Sequence, residues 1–133
     1  YPLEFANKLY TPSYVSLETV LQRAGVTFQY YERTFAASYL TRSIEIDGHT
    51  IQYRRFPKNV LVNDRGVMRD GNVTIASPER AFLDAVYLYK NYHFDNLDAL
   101  DWDVIMELKT IYPGRAFARR VGEYYDLSKE DHA

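Results

Sequence analysis

The sequence predicts an α+β fold, with a small antiparallel β-sheet of hairpins packed against several α-helices. Three observations carry this reading. Between Phe35 and Ala76 the apolar residues recur at strand period, broken by the turn pairs Asp47-Gly48 and Asp70-Gly71. On either side of that stretch they recur at helical period. A chain of 133 residues with 47% hydrophobic content is also long enough to bury one core. Residues 1–133 are therefore read as a single domain.

Taken in order, residues 3–9 are expected to form a short helix. Thr11-Pro12-Ser13 interrupts the chain, and Ser16 stands where it would cap a helix over 17–24. The apolar Leu17, Val20, Leu21 and Ala24 of that helix share one face, and Gly25 stops it. Strands are expected over 38–46 and 50–56, joined at Asp47-Gly48, with Pro57 ending the second. Ile51, Tyr53 and Arg55 fall on one side of that strand, and Gln52, Arg54 and Phe56 on the other. A second hairpin pairs 66–69 with 73–76 across Asp70-Gly71-Asn72.

The segment 78–90 is the most hydrophobic helix in prospect. Ser77 offers a hydroxyl to the free N–H groups of its first turn, and Pro78 occupies the first helical position, where a missing N–H costs nothing. Glu79 puts negative charge at the positive end of the helix dipole. Ala81, Phe82, Leu83, Ala85, Val86, Tyr87, Leu88 and Tyr89 leave only a narrow polar strip, so this helix is expected in the middle of the domain. Asp101 caps a further helix to residue 112, Pro113-Gly114 break it, and 115–125 form the last. The polar tail 128–133 is expected to fray.

Composition removes several classes of function. The formal net charge of −2 divides into 9 Lys/Arg against 7 Asp/Glu over residues 1–76, and 7 against 11 over 77–133. Neither part has the density of a nucleic-acid-binding stripe. Zero cysteines exclude disulfides and thiolate metal sites, and fit a reducing, cytoplasmic setting. No apolar run reaches the length of a membrane span, so no membrane partner is expected. The chain opens on Tyr1 rather than Met, and is read as a piece of a longer protein.

The search for chemistry returns little. His49, His93 and His132 are scattered, and none pairs with another histidine at i+3 or i+4. Neither a Gly-x-Ser-x-Gly elbow nor a phosphate-cradling glycine loop occurs. No cofactor, metal or catalytic residue is expected. Glu45 and Asp47 flank Ile46 as an acidic pair would in a metal-dependent nuclease, but the accompanying lysine is missing. Charge pairing across the hairpin with Arg54 or Arg55 is the simpler reading. Arg54, Arg55 and Lys58 form a small basic cluster, either a solvated strand face or a set of phosphate contacts. Arg80 and Asp84, one turn apart, share the polar strip of the central helix. They either fix how helix and sheet dock or, with Glu79, form an interaction strip. The docking role is favoured, because a charge on so apolar a helix needs compensation first.

Three stretches then carry a family resemblance. They are Tyr14-Val15-Ser16-Leu17-Glu18-Thr19-Val20-Leu21 with Ala24-Gly25-Val26, the hairpin over 44–53, and Val73-Thr74-Ile75-Ala76-Ser77-Pro78-Glu79-Arg80-Ala81-Phe82-Leu83-Asp84-Ala85-Val86-Tyr87-Leu88. In this order they resemble the C-terminal domain of AbiEi-type antitoxins, the regulator half of type IV toxin–antitoxin systems of abortive infection and phage defence. The third stretch, with Ser77, Pro78, Glu79, Arg80 and Asp84, is the most specific.

The resemblance implies a non-enzymatic antitoxin and transcriptional-regulator domain that counteracts a cognate nucleotidyltransferase-like toxin. In the family, an N-terminal winged helix-turn-helix binds promoter DNA. No recognition-helix pattern precedes Tyr10, so only the antitoxin role is carried over to these residues. The alternative is a degenerate, nuclease-like enzyme built on Glu45 and Asp47.

Overall fold

The computed structural model describes residues 2–130, and begins with helix α1 (Pro2–Leu9). The short strand β1 (Tyr14–Val15) leads into helix α2 (Glu18–Arg23). Strands β2 (Thr34–Ser38), β3 (Arg42–Ile46) and β4 (His49–Arg55) follow, then the single-turn helix α3 (Lys58–Leu61). A second hairpin, β5 (Val67–Asp70) and β6 (Val73–Ala76), runs into helix α4 (Pro78–Leu88). Helix α5 (Trp102–Leu108) and helix α6 (Arg115–Glu130) complete the described chain, with short 3-10 turns at Leu97–Ala99 and Lys109–Ile111.

The α+β class holds, but the sheet is not antiparallel throughout. Six strands form one mixed sheet in the order β3-β4-β2-β1-β6-β5. Both expected hairpins are present, at its two outer ends. Asp47 and Gly48 take the positive φ values, 51° and 79°, that a tight hairpin turn demands. What joins the hairpins is a central pair, β1 and β2, which run antiparallel to each other. They then pair in parallel with their outer neighbours, β1 with β6 and β2 with β4. Sequence reading missed β1 because two residues are too few to show an alternation. It displaced β2 because Thr34 to Ser38 is buried at every position and so shows no alternation either.

Two further expectations are corrected. Ser16 does not cap α2: the helix starts at Glu18, Leu17 sits at φ 56°, and the Ser16 hydroxyl points into the core instead. Residues 128–130, expected to fray, continue α6, with Ser128 buried; residues 131–133, His132 among them, lie outside the described residues.

The layers follow from strand alternation. On one side of β4, the Tyr53 hydroxyl donates to the Ala6 carbonyl of α1 at 2.7 Å. On the other side Arg54 reaches Tyr89, just beyond α4. The sheet is thus covered by α1 on one face and by α2 and α4 on the other. Helix α4 is the centre of the second layer, buried from Arg80 through Val86. Its Phe82 ring meets Phe94, Trp102 and Tyr124 at centroid distances of 4.8, 5.4 and 5.7 Å. Among the described residues, no helix is long and apolar enough to cross a membrane.

Candidate functional site

Helix α4 begins as its sequence requires. The Ser77 hydroxyl accepts from the Arg80 N–H at 3.1 Å, and Pro78 occupies the first turn. Glu79 reaches sideways, accepting from the Asp101 N–H at 3.0 Å, and so ties α4 to the residue that caps α5. Each of these three residues is half-buried and holds a helix end.

Arg80 and Asp84 lie deeper, both at 0% exposure. The Arg80 Nε stands 3.8 Å from Asp84 Oδ1, and it makes no hydrogen bond. The remaining guanidinium donors are well used. Nη1 donates to the carbonyls of Asn63 (2.8 Å) and Arg65, and Nη2 to that of Val60 (2.8 Å) and to the Tyr14 hydroxyl (3.1 Å). These carbonyls lie at and just beyond the C-terminal end of α3, where helical carbonyls lack partners and a cation is favourable. Arg80 thereby anchors α3 and the approach to β5 onto α4.

Asp84 collects hydroxyls from the opposite direction. Its Oδ2 accepts from Tyr14 at 2.8 Å and Ser16 at 2.7 Å, and its Oδ1 accepts from Tyr112. Hydrogen bonds to an ionised carboxylate are roughly twice as strong as neutral ones. Asp84 therefore outcompetes the α2 N-terminus for Ser16. Its donors are thus hydroxyls of β1, of the residue just after it, and of the turn after α5. Tyr14 links the two charges, accepting from Arg80 while donating to Asp84.

Burial raises the pKa of Asp84, against the pull of Arg80 and the three hydroxyls. Burial opposes the charge of Arg80 too, but Tyr14, Tyr112 and Asp84 outweigh it and hold the guanidinium proton more firmly. Tyr14 and Tyr112 are pushed well above the ordinary phenol range by burial and by Asp84, so both remain donors. The arrangement is a clamp joining β1, α3, α4 and the Tyr112 turn. With no exposed surface, Arg80 and Asp84 offer a partner nothing to touch.

The basic cluster does not converge. Arg54 is half-buried, its guanidinium 5.3 Å above the Tyr89 ring and its Nη1 donating to the Tyr89 hydroxyl at 3.3 Å. That hydroxyl in turn donates to Glu18 Oε1 at 3.3 Å. Glu18 is a second buried carboxylate, and burial raises its pKa despite hydrogen bonds from Tyr89 and Tyr92 and the nearby Arg54. Arg55 and Lys58 stay exposed and border a cleft of about 330 Å³.

The expected pairing of Glu45 and Asp47 with Arg54 or Arg55 is absent among the described residues. Glu45 lies opposite Thr50 and Asp47 in the exposed turn, whereas Arg54 and Arg55 lie farther along β4, opposite Ala37 and Ser38 of β2. Register places these charges on different neighbours. His49 begins β4, and the His93 Nε2 is 3.4 Å from Asp95. Among the described residues, no group of three or more His, Cys, Asp or Glu side chains is placed to hold a metal.

Sequence reading did not connect Tyr14, Ser16 and Tyr112 to Asp84. For the first two a signal existed: they stand two apart around Val15, which puts both on one side of an extended segment. Tyr112 gave none, since only the turn after α5 brings it near. No family model, curated protein or solved structure matches this chain.

Proposed function

We propose that this chain is an antitoxin domain of the AbiEi type, acting by binding rather than by catalysis, against a nucleotidyltransferase-like toxin. One observation supports the reading above others. The first and third stretches of the resemblance, more than sixty positions apart, meet side chain to side chain: Tyr14 and Ser16 both donate to Asp84. The residues that carry the resemblance thus act together within one folded unit, which supports the reading. The charged part of the signature works inside the domain, which leaves the toxin-directed role to the outer surface.

The nuclease alternative rests on Glu45 and Asp47, exposed at a hairpin tip on an edge strand. Nothing in their surroundings favours it.

The test is to search the neighbouring genes for a nucleotidyltransferase-like one and to co-express it with this chain. Growth rescued by the wild-type chain, and still rescued by Glu45→Ala/Asp47→Ala, is the expected result. A folded chain that fails to rescue overturns the antitoxin reading. Metal-dependent DNA cleavage lost in the double variant would replace it with the enzymatic one.

A further inference from the structure

Beyond that reading, and independent of it, lies the cleft beside α3. Its floor is Phe56 and Leu61, both buried, and its walls include Pro12 and Pro57. Its rim carries two large apolar side chains left in water, Tyr39 at 50% and Val62 at 57% exposure. Two partly exposed large side chains thus border one apolar cleft.

The charge of the cleft is one-sided. Among the described residues, Arg55 and Lys58 are its only ionisable side chains apart from the Tyr39 phenol, and no carboxylate lines it. Among the described residues, neither cation has an ion-pair partner and neither side chain has a hydrogen-bond partner. Arg54, one residue away, is held by Tyr89 on the opposite side of the sheet. An apolar floor with two uncommitted cations above it fits a ligand that is apolar at one end and anionic at the other.

The rim decides what kind of ligand. A small apolar acid seated on Phe56 and Leu61 would leave Tyr39 and Val62 wet. A chain crossing the cleft would cover both, while placing its carboxylates against Arg55 and Lys58. We propose that this cleft docks a segment of a partner protein in which a large apolar side chain is flanked by Asp or Glu. The apolar side chain supplies most of the affinity, and the rim charges set selectivity and the rate of encounter.

The probes are two labelled hexapeptides, Glu-Glu-Leu-Phe-Glu-Glu and Lys-Lys-Leu-Phe-Lys-Lys, with Glu-Glu-Ser-Ser-Glu-Glu as the apolar-deleted control. Each is titrated into the full chain while backbone amide shifts are followed. The expected result is shifts at Tyr39 and Phe56 to Val62 with the acidic apolar peptide alone, binding at least about tenfold tighter than either other probe. Arg55→Glu/Lys58→Glu should reverse the preference between the two apolar peptides. Val62→Asp should weaken the acidic one at least about tenfold, with an unchanged melting curve. Both variants alter exposed side chains, so the fold is preserved.

Equal binding of all three probes, shifts elsewhere, no shifts at all, or indifference to the charge reversal each overturns the proposal. Binding of free octanoate at this cleft without peptide binding also overturns it, in favour of a small-molecule site. None of these readouts involves the toxin, so the cleft and the antitoxin reading fail separately.

Discussion

The two ends of helix α4 hold the same chemistry under different enclosure. Near its start, a carboxylate (Asp84), an arginine (Arg80) and tyrosine hydroxyls (Tyr14, Tyr112) are sealed together, tightly bonded. Just past its end, a carboxylate (Glu18), an arginine (Arg54) and tyrosines (Tyr89, Tyr92) meet again, but more loosely. There the Arg54–Tyr89 and Tyr89–Glu18 contacts run at 3.3 Å, and Arg54 and Tyr89 are only half-buried. Arg80 donates to three backbone carbonyls, whereas the Arg54 guanidinium leans on a single ring and its hydroxyl. Composition alone would call the two clusters equivalent. Enclosure separates them: a charge fully removed from water must have every partner supplied by the fold, while one near the surface can borrow water.

The largest expected effect comes from opening the sealed end. Asp84→Ala strands the Arg80 charge and leaves three hydroxyls without their acceptor, so it should cost about 3–5 kcal/mol in urea melts or prevent folding. Glu18→Ala should cost well under half of that. Equal losses at the two sites would erase the distinction.

Phe82→Ala gives the apolar benchmark on the same helix, at about 3–5 kcal/mol. A loss below about 1 kcal/mol would place α4 at the surface rather than the centre.

Removing a single hydroxyl probes the same contrast more gently. Tyr14→Phe takes one donor from Asp84 and one acceptor from Arg80, and should cost about 1–3 kcal/mol. Tyr89→Phe, at the looser end, should cost less than about 1 kcal/mol.

A fourth change presses on the clamp from outside. Gly66 has φ +78°, and an added Cβ would lie 3.0 Å from Leu108 Cδ1 and 3.1 Å from Arg80 Cβ. Gly66→Ala should therefore destabilise by at least the left-handed backbone cost of about 1–2 kcal/mol. A neutral result would show that the Arg80 side of the clamp can give way.

The smallest effect is one of pH. The folded pKa of Glu18 is raised above its ordinary value of 4.5, chiefly by burial. The folded state therefore holds this proton more tightly than the unfolded chain. Its contribution is fully present below pH 4.5 and is lost as pH rises through the folded pKa. Glu18→Gln should flatten that part of the stability profile above pH 4.5, measured by denaturant melts at stepped pH. An unchanged slope would show that Glu18 is solvated in the folded state.

Much of this molecule is legible in its sequence. Ser77 and Pro78 start α4 because capping and the fixed φ of proline are local properties. Asp47-Gly48 turns a hairpin because adjacent positive φ values suit that pair. The apolar wrap of 78–90 announced a buried helix, and Arg80 and Asp84 within it announced a charge in need of compensation. Tertiary structure alone decided the partners. No local rule brings Tyr112 to Asp84, or the Val60 and Asn63 carbonyls to Arg80, because these meetings depend on how distant segments pack. The same holds for the mixed sheet, whose parallel pairs join strands that are not neighbours in sequence. It holds also for Ser16, which had a good local use as a cap and a stronger distant one at a buried carboxylate. Local preference starts α4 and turns the hairpins, and a buried charge, which cannot be left without partners, decides which distant segments meet around it.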